Sequence, residues 1–280
     1  MNLSALRTFL TVVEIGNLNR AAERLNVTQS TVTARLNSLE TELGHPLFVR
    51  RKSGAELTSA GFKFLRYAQL MTDLWRQARQ ETSLPPEMLA VCNMGCHFDL
   101  WPAAGRDLFE TIRRDQPRVA LSAWPGEQTD IDRWLGSGLV DAALCYAPSL
   151  RENRTAYGLP EERLILVSSE QRDVVRWDPN YIYVDSGEEF RRSHAAAYPD
   201  GDTPTTIFGS AVWALDHILA WGGSAYLPER LARPHLARKA LHGVRGAPEF
   251  RRAAYLVVDK NAAAQWPWLE GVLESMQQDS

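Results

Sequence analysis

The sequence has few cysteines, no long apolar run and no visible secretory signal. Its three cysteines, Cys92, Cys96 and Cys145, are an odd number without the spacing of a zinc site, so reduced thiols are expected. No stretch of about 18 uncharged apolar residues occurs, which argues against a spanning helix. The first residues lack a basic segment followed by an apolar one. These absences predict a cytoplasmic protein without a metal, another cofactor or a membrane partner.

Common catalytic motifs are also missing. The sequence contains no GxSxG, HExxH, GxGxxG or phosphate-binding P-loop pattern. Cys96 stands directly before His97, but neighbours on a strand or loop point apart, and catalytic pairs generally come from distant segments. We therefore predict that the chain is not an enzyme. A thiol enzyme with Cys96 as its nucleophile is the alternative.

The charge is divided unevenly along the 280 residues, a length typical of two or three folding units. Residues 1–82 hold eleven Lys and Arg against seven Asp and Glu, a net charge of +4. Residues 83–280 hold twenty against twenty-seven, a net charge of −7. Only the front is therefore expected to meet a polyanion. An architectural DNA-binding protein would need a broadly basic surface, and the acidic rear argues against one.

Apolar periodicity predicts three helices at the front, over residues 3–15, 20–25 and about 28–43. A tight turn at residues 26–28 separates the second helix from the third, and residues 47–58 are typical of two short strands around a basic turn. This order of elements predicts a winged helix-turn-helix over residues 1–58.

The third helix has one apolar and one hydrogen-bonding face, which suits the DNA major groove. A glutamine pairs with an adenine edge, a threonine methyl contacts thymine, and arginines contact phosphates. A capped, solvated helix face and an ordinary charged turn are the alternatives. The residues predicted to contact DNA are Thr28, Gln29, Ser30, Thr31, Thr33, Arg35, Arg50, Arg51 and Lys52.

A long helix is expected over residues 59–84, before the linker signal Pro85-Pro86. Its apolar residues recur at steps of three and four, the seam of a dimer-forming helix. The same stripe could pack on its own domain, which is the alternative. The predicted dimer contacts are Phe64, Tyr67, Ala68, Met71, Leu74, Trp75 and Ala78.

Strand and helix patterns alternate over residues 85–280, which predicts parallel sheets covered by helices in two lobes with a cleft between them. The first lobe is expected at about 87–150 and 250–280, and the second at about 160–248. Ligands of such domains lie where strands end and helices begin. The predicted effector contacts are Gly95, Cys96, His97, Trp124, Tyr146, Phe208, Gly209 and Ser210. The alternatives are a helix cap for Ser210, a surface or core position for His97, and core positions for Cys96 and the aromatic residues.

Several segments resemble a known family. Residues 6–10, 19–33, 39–50 and 57–61 resemble the DNA-binding domain of LysR-type transcriptional regulators. Residues 138–141 and 223–228 are similar to landmarks of that family's effector domain, and residues 183–190 resemble the HdfR-like group within it.

The resemblance implies an α+β multidomain chain. It would have an N-terminal winged helix-turn-helix, a long linker helix and a C-terminal two-lobed α/β effector domain like a periplasmic binding protein. It further implies a homodimer through the linker helix, paired into a tetramer, that binds an inverted-repeat promoter site in double-stranded DNA. An unidentified small-molecule effector in the cleft would modulate this binding, and RNA polymerase is a further implied partner. The family's base-contacting positions correspond to Gln29, Ser30 and Thr33, with Arg50 or Arg51 on the wing.

Overall fold

The computed structural model describes residues 2–51, 54–172, 178–199, 201 and 203–278. The chain divides into two compact units, Met1–Pro85 and Pro86–Ser280. Within the described residues, no helix combines the length and the apolar character needed to cross a membrane.

The first unit is a winged helix-turn-helix followed by a long helix, as the sequence predicts. Each of its first three helices begins after a side chain that accepts a backbone N–H: Asn2, Asn17 and Thr28. The fully buried Leu6, Phe9 and Val32 lie in its core. The elements are α1 Leu3–Ile15, α2 Leu18–Arg24, α3 Gln29–Leu43, β1 Phe48–Arg51, β2 Gly54–Leu57 and α4 Ser59–Thr82.

Two backbone features fix the turn and the wing. Asn26, between α2 and α3, has φ 52°, in the left-handed region that asparagine tolerates better than most residues. Gly54 opens β2 with φ 138°, and a Cβ there would lie 2.2 Å from the carbonyl oxygen of Gly16. The amide of Ala55 donates to that same oxygen at 2.8 Å. The wing is therefore attached to the end of α1.

The second unit begins with β3 and ends with α11. A 3-10 turn at Phe98–Leu100 and a π-helical turn at Trp101–Gly105 follow its first strand. The elements are β3 Ala90–His97, α5 Arg106–Asp115, β4 Val119–Gly126, α6 Gln128–Ser137, β5 Ala142–Cys145, β6 Arg154–Gly158, β7 Glu162–Ser168, β8 Ile182–Val184, α7 Glu188–Ala197, β9 Thr206–Phe208, α8 Ala211–Trp221, β10 Ser224–Pro228, α9 Glu229–Ala237, β11 His242–Gly243, β12 Phe250–Arg252, β13 Tyr255–Asp259, α10 Lys260–Ala263 and α11 Leu269–Gln278.

The first lobe is built on a five-stranded sheet in the order β4-β3-β5-β13-β6. Strand β3 runs parallel to β4 and β5, whereas β13 runs antiparallel to both of its neighbours. Leu108 of α5 and Val272 of α11 pack on one face of the sheet, and Ile131 of α6 packs on the other. Both faces are therefore buried.

The second lobe is built around β7, which pairs antiparallel with β10, β11 and β12. The parallel pair β8 and β9 joins this sheet through a bridge between Tyr181 and Ser224. Leu215 of α8 and Ala232 of α9 lie in one core cluster, and Phe190 of α7 lies in another. The chain crosses between the lobes twice, after β6 and again after β12.

Three sequence expectations need correction here. The first-lobe sheet is mixed rather than parallel, because the chain returns from the second lobe along β13, which is antiparallel to its neighbours. In the second lobe β8 and β9 are parallel, but the strands around β7 are antiparallel. The strand β12 belongs to the second lobe, so the return comes at Tyr255 and not at residue 250. The sequence patterns did not indicate β6, β12, α7 or α9. The strands β6 and β12 are only five and three residues long, and the helices α7 and α9 carry several charges each.

Candidate nucleic-acid interface and inter-lobe cleft

The start of α3 is organised by one hydroxyl group. Thr28 Oγ1 accepts the amide of Thr31 at 3.2 Å. It also shares hydrogen bonds of 2.8 Å with the hydroxyls of Ser30 and Thr31. This cap satisfies an amide at the end of the helix and holds three small hydroxyls together at its surface.

One face of α3 is polar and open to solvent. Gln29 and Ser30 are exposed and Thr33 is half-buried, while Val32 and Leu36 lie in the core. The Gln29 amide nitrogen lies 3.4 Å from Thr33 Oγ1, a long contact that leaves the amide free to turn toward another partner. An amide and hydroxyls on the first turn of a helix form the arrangement that contacts base edges in the major groove.

The side chains predicted to contact phosphate differ in their exposure and in their partners within the chain. Arg51 is exposed and pairs with Glu56 at 3.0 Å, so part of the charge of the wing is already balanced. Arg35 is half-buried and its guanidinium lies 3.4 Å from Thr8 Oγ1 on α1. The contact of Arg35 with phosphate stays a prediction. Lys52 and the side chain of Arg50 lie outside the described residues.

The linker helix α4 uses part of its apolar stripe inside its own unit. Ala68 is fully buried, Met71 packs on the core, and the rings of Phe64 and Phe9 lie 5.2 Å apart. Ala68 is therefore not free to contact a second copy, whereas Phe64 and Met71 are half-buried and their part in the dimer seam stays a prediction. The remaining predicted contacts lie further out: Tyr67, Trp75 and Ala78 are exposed and Leu74 is half-buried.

Two predicted effector contacts lie in the core instead. Gly95 faces Ala143, Val140 and Trp134 beneath α6. Cys96 is 2% exposed, and its thiol donates to the carbonyl oxygen of His97 at 3.4 Å. Burial raises the pKa of Cys96 to about 12. Since alternate residues of a strand face opposite sides, β3 directs both of them into the packed faces of its sheet.

Three further predicted effector contacts, Trp124, Phe208 and Gly209, are exposed or half-buried and stay predictions. Trp124, on the edge strand β4, is 47% exposed, and its ring nitrogen donates to Ser122. Phe208 packs against the core of the second lobe, with its ring 5.4 Å from that of His217. Gly209 is exposed.

The structure brings the last three predicted contacts, His97, Tyr146 and Ser210, to the boundary between the lobes. The amide of Asp99 donates to His97 Nδ1 at 3.2 Å, and the rings of His97 and Tyr146 lie 4.8 Å apart. Burial, opposed by the charge of Asp99 and reinforced by that of Arg252, lowers the pKa of His97 to about 4. Ser210 precedes α8 and its hydroxyl donates to Asp99 at 2.7 Å.

The boundary also contains a cluster of charged side chains that was not predicted from the sequence. Tyr146 donates its hydroxyl to Glu162 at 2.8 Å, and the guanidinium of Arg252 lies 3.2 Å from the centre of the Tyr146 ring. Glu162, 3% exposed, also accepts from Arg230 at 2.5 Å. Burial, and then the negative charge of Glu162, raises the pKa of Tyr146 well above its usual value. The tyrosine therefore acts as a hydrogen-bond donor at neutral pH.

These missed residues left little signal in the sequence. Glu162 and Arg252 face each other because β7 and β12 pair in one register, and 90 positions separate them. Asp99 has a weak local signal, an acidic residue between Phe98 and Leu100 just after a strand.

A cavity of about 420 Å³ opens beside Glu162 and Arg230. Its lining combines side chains from both lobes, among them Asp107 and Ser275 of the first and Arg163 and Arg233 of the second. Cations and anions both line it, so its charge alone favours neither sign of ligand.

Comparisons with known proteins agree with this geometry. Residues 3–62 match the family described as bacterial regulatory helix-turn-helix protein, lysR family. The chain is similar to the HTH-type transcriptional regulator HdfR of Shigella boydii, with 27% identity over 272 residues that cover 94% of this chain and 95% of that protein. HdfR of Yersinia pestis is 28% identical over 242 residues, 82% of each chain.

Solved structures share the fold over nearly the whole chain. The LysR-family regulator CbnR superposes with a TM-score of 0.74 at 15% identity, over 99% of both chains. ArgP of Mycobacterium tuberculosis superposes with a TM-score of 0.57 at 21% identity, over 98% of this chain and 96% of that one. LysG of Corynebacterium glutamicum, solved with the effector Arg bound, has a TM-score of 0.52 at 17% identity, over 99% of both chains. These matches show that residues 3–62 fit the helix-turn-helix model of the lysR family and that the whole chain shares the fold of solved LysR-family regulators.

Proposed function

We propose that the chain binds promoter DNA sequence-specifically as a homodimer and that a small molecule between the lobes of the second unit modulates this binding. The observation that carries the proposal is the start of α3, where Thr28 caps the helix and Gln29, Ser30 and the half-buried Thr33 lie on one polar face. The net charge of +4 over residues 1–82 supports a polyanionic partner for this part of the chain.

The effector part of the proposal is supported by the two-lobed architecture and by the cluster of charged residues where the lobes meet. LysG, a structural neighbour, holds an amino acid as its effector. Assembly of dimers into a tetramer, contact with RNA polymerase and a cytoplasmic location stay predictions. No catalytic step is proposed. The Cys96 thiol points at a backbone carbonyl and not at the His97 ring, which disfavours the thiol-enzyme alternative.

The DNA proposal is tested by selecting bound duplexes from a randomised pool with the full-length protein and with Gln29→Ala. We expect an inverted-repeat motif, and loss of about 1–3 kcal/mol of discrimination at one position of each half-site in the variant. Gln69→Ala, which removes an exposed amide from α4, is the matched control and should select the parent motif.

Arg51→Ala probes the wing in the same assay. It should weaken binding to all duplexes alike and make affinity less dependent on salt concentration, because a phosphate contact carries no sequence information. A parent protein that selects no motif at moderate salt, or a Gln29→Ala variant that selects the parent motif at parental affinity, would contradict the proposal.

A further inference from the structure

Asp99 belongs to the first lobe, but its carboxylate is bound by the second. Its Oδ1 accepts the hydroxyl of Ser210 at 2.7 Å, the amide of Ala211 at 2.9 Å and the amide of Val212 at 3.4 Å. The Asp99 side chain is only 2% exposed. A residue of the turn after β3 thus caps a helix that begins 112 positions later in the chain.

The helix α8 lacks a cap of its own. Ser210 stands at its N-cap position but makes no side-chain hydrogen bond to the helix amides, because its hydroxyl is turned toward Asp99. A helix start with free amides binds negative charge readily, and here the first lobe supplies that charge. The contact therefore joins the lobes as well as capping the helix.

The guanidinium of Arg252, on β12, faces the same carboxylate. Arg252 Nη1 lies 4.0 Å from Asp99 Oδ2, in a guanidinium whose side chain is 12% exposed. Among the described residues, this buried nitrogen has no hydrogen-bond partner. We call the Ser210 hydroxyl, the amides of Ala211 and Val212, and Arg252 the α8 anion pocket. Its donors and charge are those that recognise a carboxylate ligand.

We propose that Asp99 is a resident anion that fills the α8 anion pocket, holds the two lobes together without a ligand, and excludes free carboxylate ligands from this position. The inference deepens the proposed effector function, on which it rests, by restricting the ligand class. An effector that enters the cleft while Asp99 is bound does not place a carboxylate at the start of α8.

The test measures the thermal melting of the full-length protein in sodium acetate and in sodium chloride of equal ionic strength. Asp99→Ala should melt about 4–8 °C lower than the parent, because the helix amides and Arg252 lose their partner. Acetate, and not chloride, should restore part of this loss in a saturable way, since acetate supplies the deleted carboxylate. The parent should respond equally to the two salts.

Two further variants separate this inference from general effects. Asp99→Asn keeps an oxygen acceptor of the same shape but removes the charge, so it should melt below the parent and show no acetate response. Asp185→Ala is the matched control. Asp185 is half-buried just before α7, where it accepts the amide of Gly187 and pairs with Arg191, and all of these contacts lie within one lobe. Acetate should not raise the melting temperature of Asp185→Ala above its value in chloride.

Three results would overturn the proposal. Acetate could stabilise the parent as strongly as Asp99→Ala, a folded Asp99→Ala could ignore acetate, or Asp99→Asn could melt within about 1 °C of the parent. The last result decides the matter even if Asp99→Ala does not fold. None of these measurements uses DNA, so a failure of the DNA-binding proposal would be seen separately in the duplex selection.

Discussion

The hydrogen bond between Tyr146 and Glu162 gives a quantitative prediction for stability. Tyr146→Phe removes the hydroxyl that donates to Glu162 at 2.8 Å, while the ring remains between His97 and Arg252. The carboxylate of Glu162 is buried and keeps Arg230 as a donor. A hydrogen bond to a charged group contributes about 1.5–3 kcal/mol, and the loss leaves one buried oxygen without this donor. We expect the free energy of unfolding to fall by about 2 kcal/mol.

Urea unfolding followed by tryptophan fluorescence measures this change. Eight of the nine tryptophans follow residue 86, so the signal reports mainly on the second unit. A double-mutant cycle with Glu162→Gln isolates the pair. With a neutral partner the hydrogen bond is worth about 0.5–1.5 kcal/mol, so Tyr146→Phe should cost roughly 1 kcal/mol less in that background.

Tyr157→Phe is the matched control for the lost hydroxyl. Tyr157 lies half-buried on β6, and no described residue accepts a hydrogen bond from its hydroxyl. It should change the free energy of unfolding by less than about 0.5 kcal/mol. If Tyr146→Phe also changes the free energy of unfolding by less than about 0.5 kcal/mol, the Tyr146 hydroxyl does not donate to the buried carboxylate of Glu162.

Three other predictions concern acidity, assembly and thiol chemistry. The pKa of His97 is lowered to about 4 in the folded protein from an ordinary value near 6.5, so the unfolded chain binds the extra proton first and stability is lost as pH falls from 6.5 toward 4. Between pH 7 and pH 5 the free energy of unfolding, measured with urea, should therefore fall less in His97→Gln than in the parent. An equal fall would show that His97 does not have a lowered pKa. Leu74→Lys with Trp75→Lys should reduce the mass found by light scattering at micromolar concentration to that of one chain, while Gln69→Lys keeps the parental mass; an undiminished mass in the double variant would exclude this face of α4 as the dimer contact. Cys92, Cys96 and Cys145 are buried, and burial raises the pKa of each thiol, so a disulfide reagent at pH 8 should label the native protein far more slowly than the protein in urea. Labelling at the same rate in both states would contradict the packing of β3 and β5.

The first unit was predictable because its signals are local. Apolar residues at helical spacing, and capping residues such as Asn17 and Thr28, stand next to the elements that they define. The structure confirms α1 over Leu3–Ile15 and α3 up to Leu43, together with the turn between α2 and α3. Periodicity also indicated the stripe on α4. It did not reveal that Ala68 would be buried within its own unit, because a stripe does not specify its partner.

The second unit shows the limit of local signals. The strand and helix alternation identified a two-lobed α/β architecture, and Ser210 and Tyr146 were expected near its cleft. Alternation does not give strand direction, so the antiparallel arrangement around β7 and β13 was missed.

The sequence by itself determined the recognition helix, since its cap, its polar face and its apolar face all lie within about fifteen consecutive residues. Only the tertiary structure decided the chemistry of the cleft. Asp99, Glu162 and Arg252 come from three distant segments. Strand register pairs Arg252 with Glu162, and the packing of one lobe on the other brings Arg252 within 4.0 Å of Asp99. Burial then makes these contacts strong, because charges removed from water interact with each other and with helix amides far more than they do on the surface.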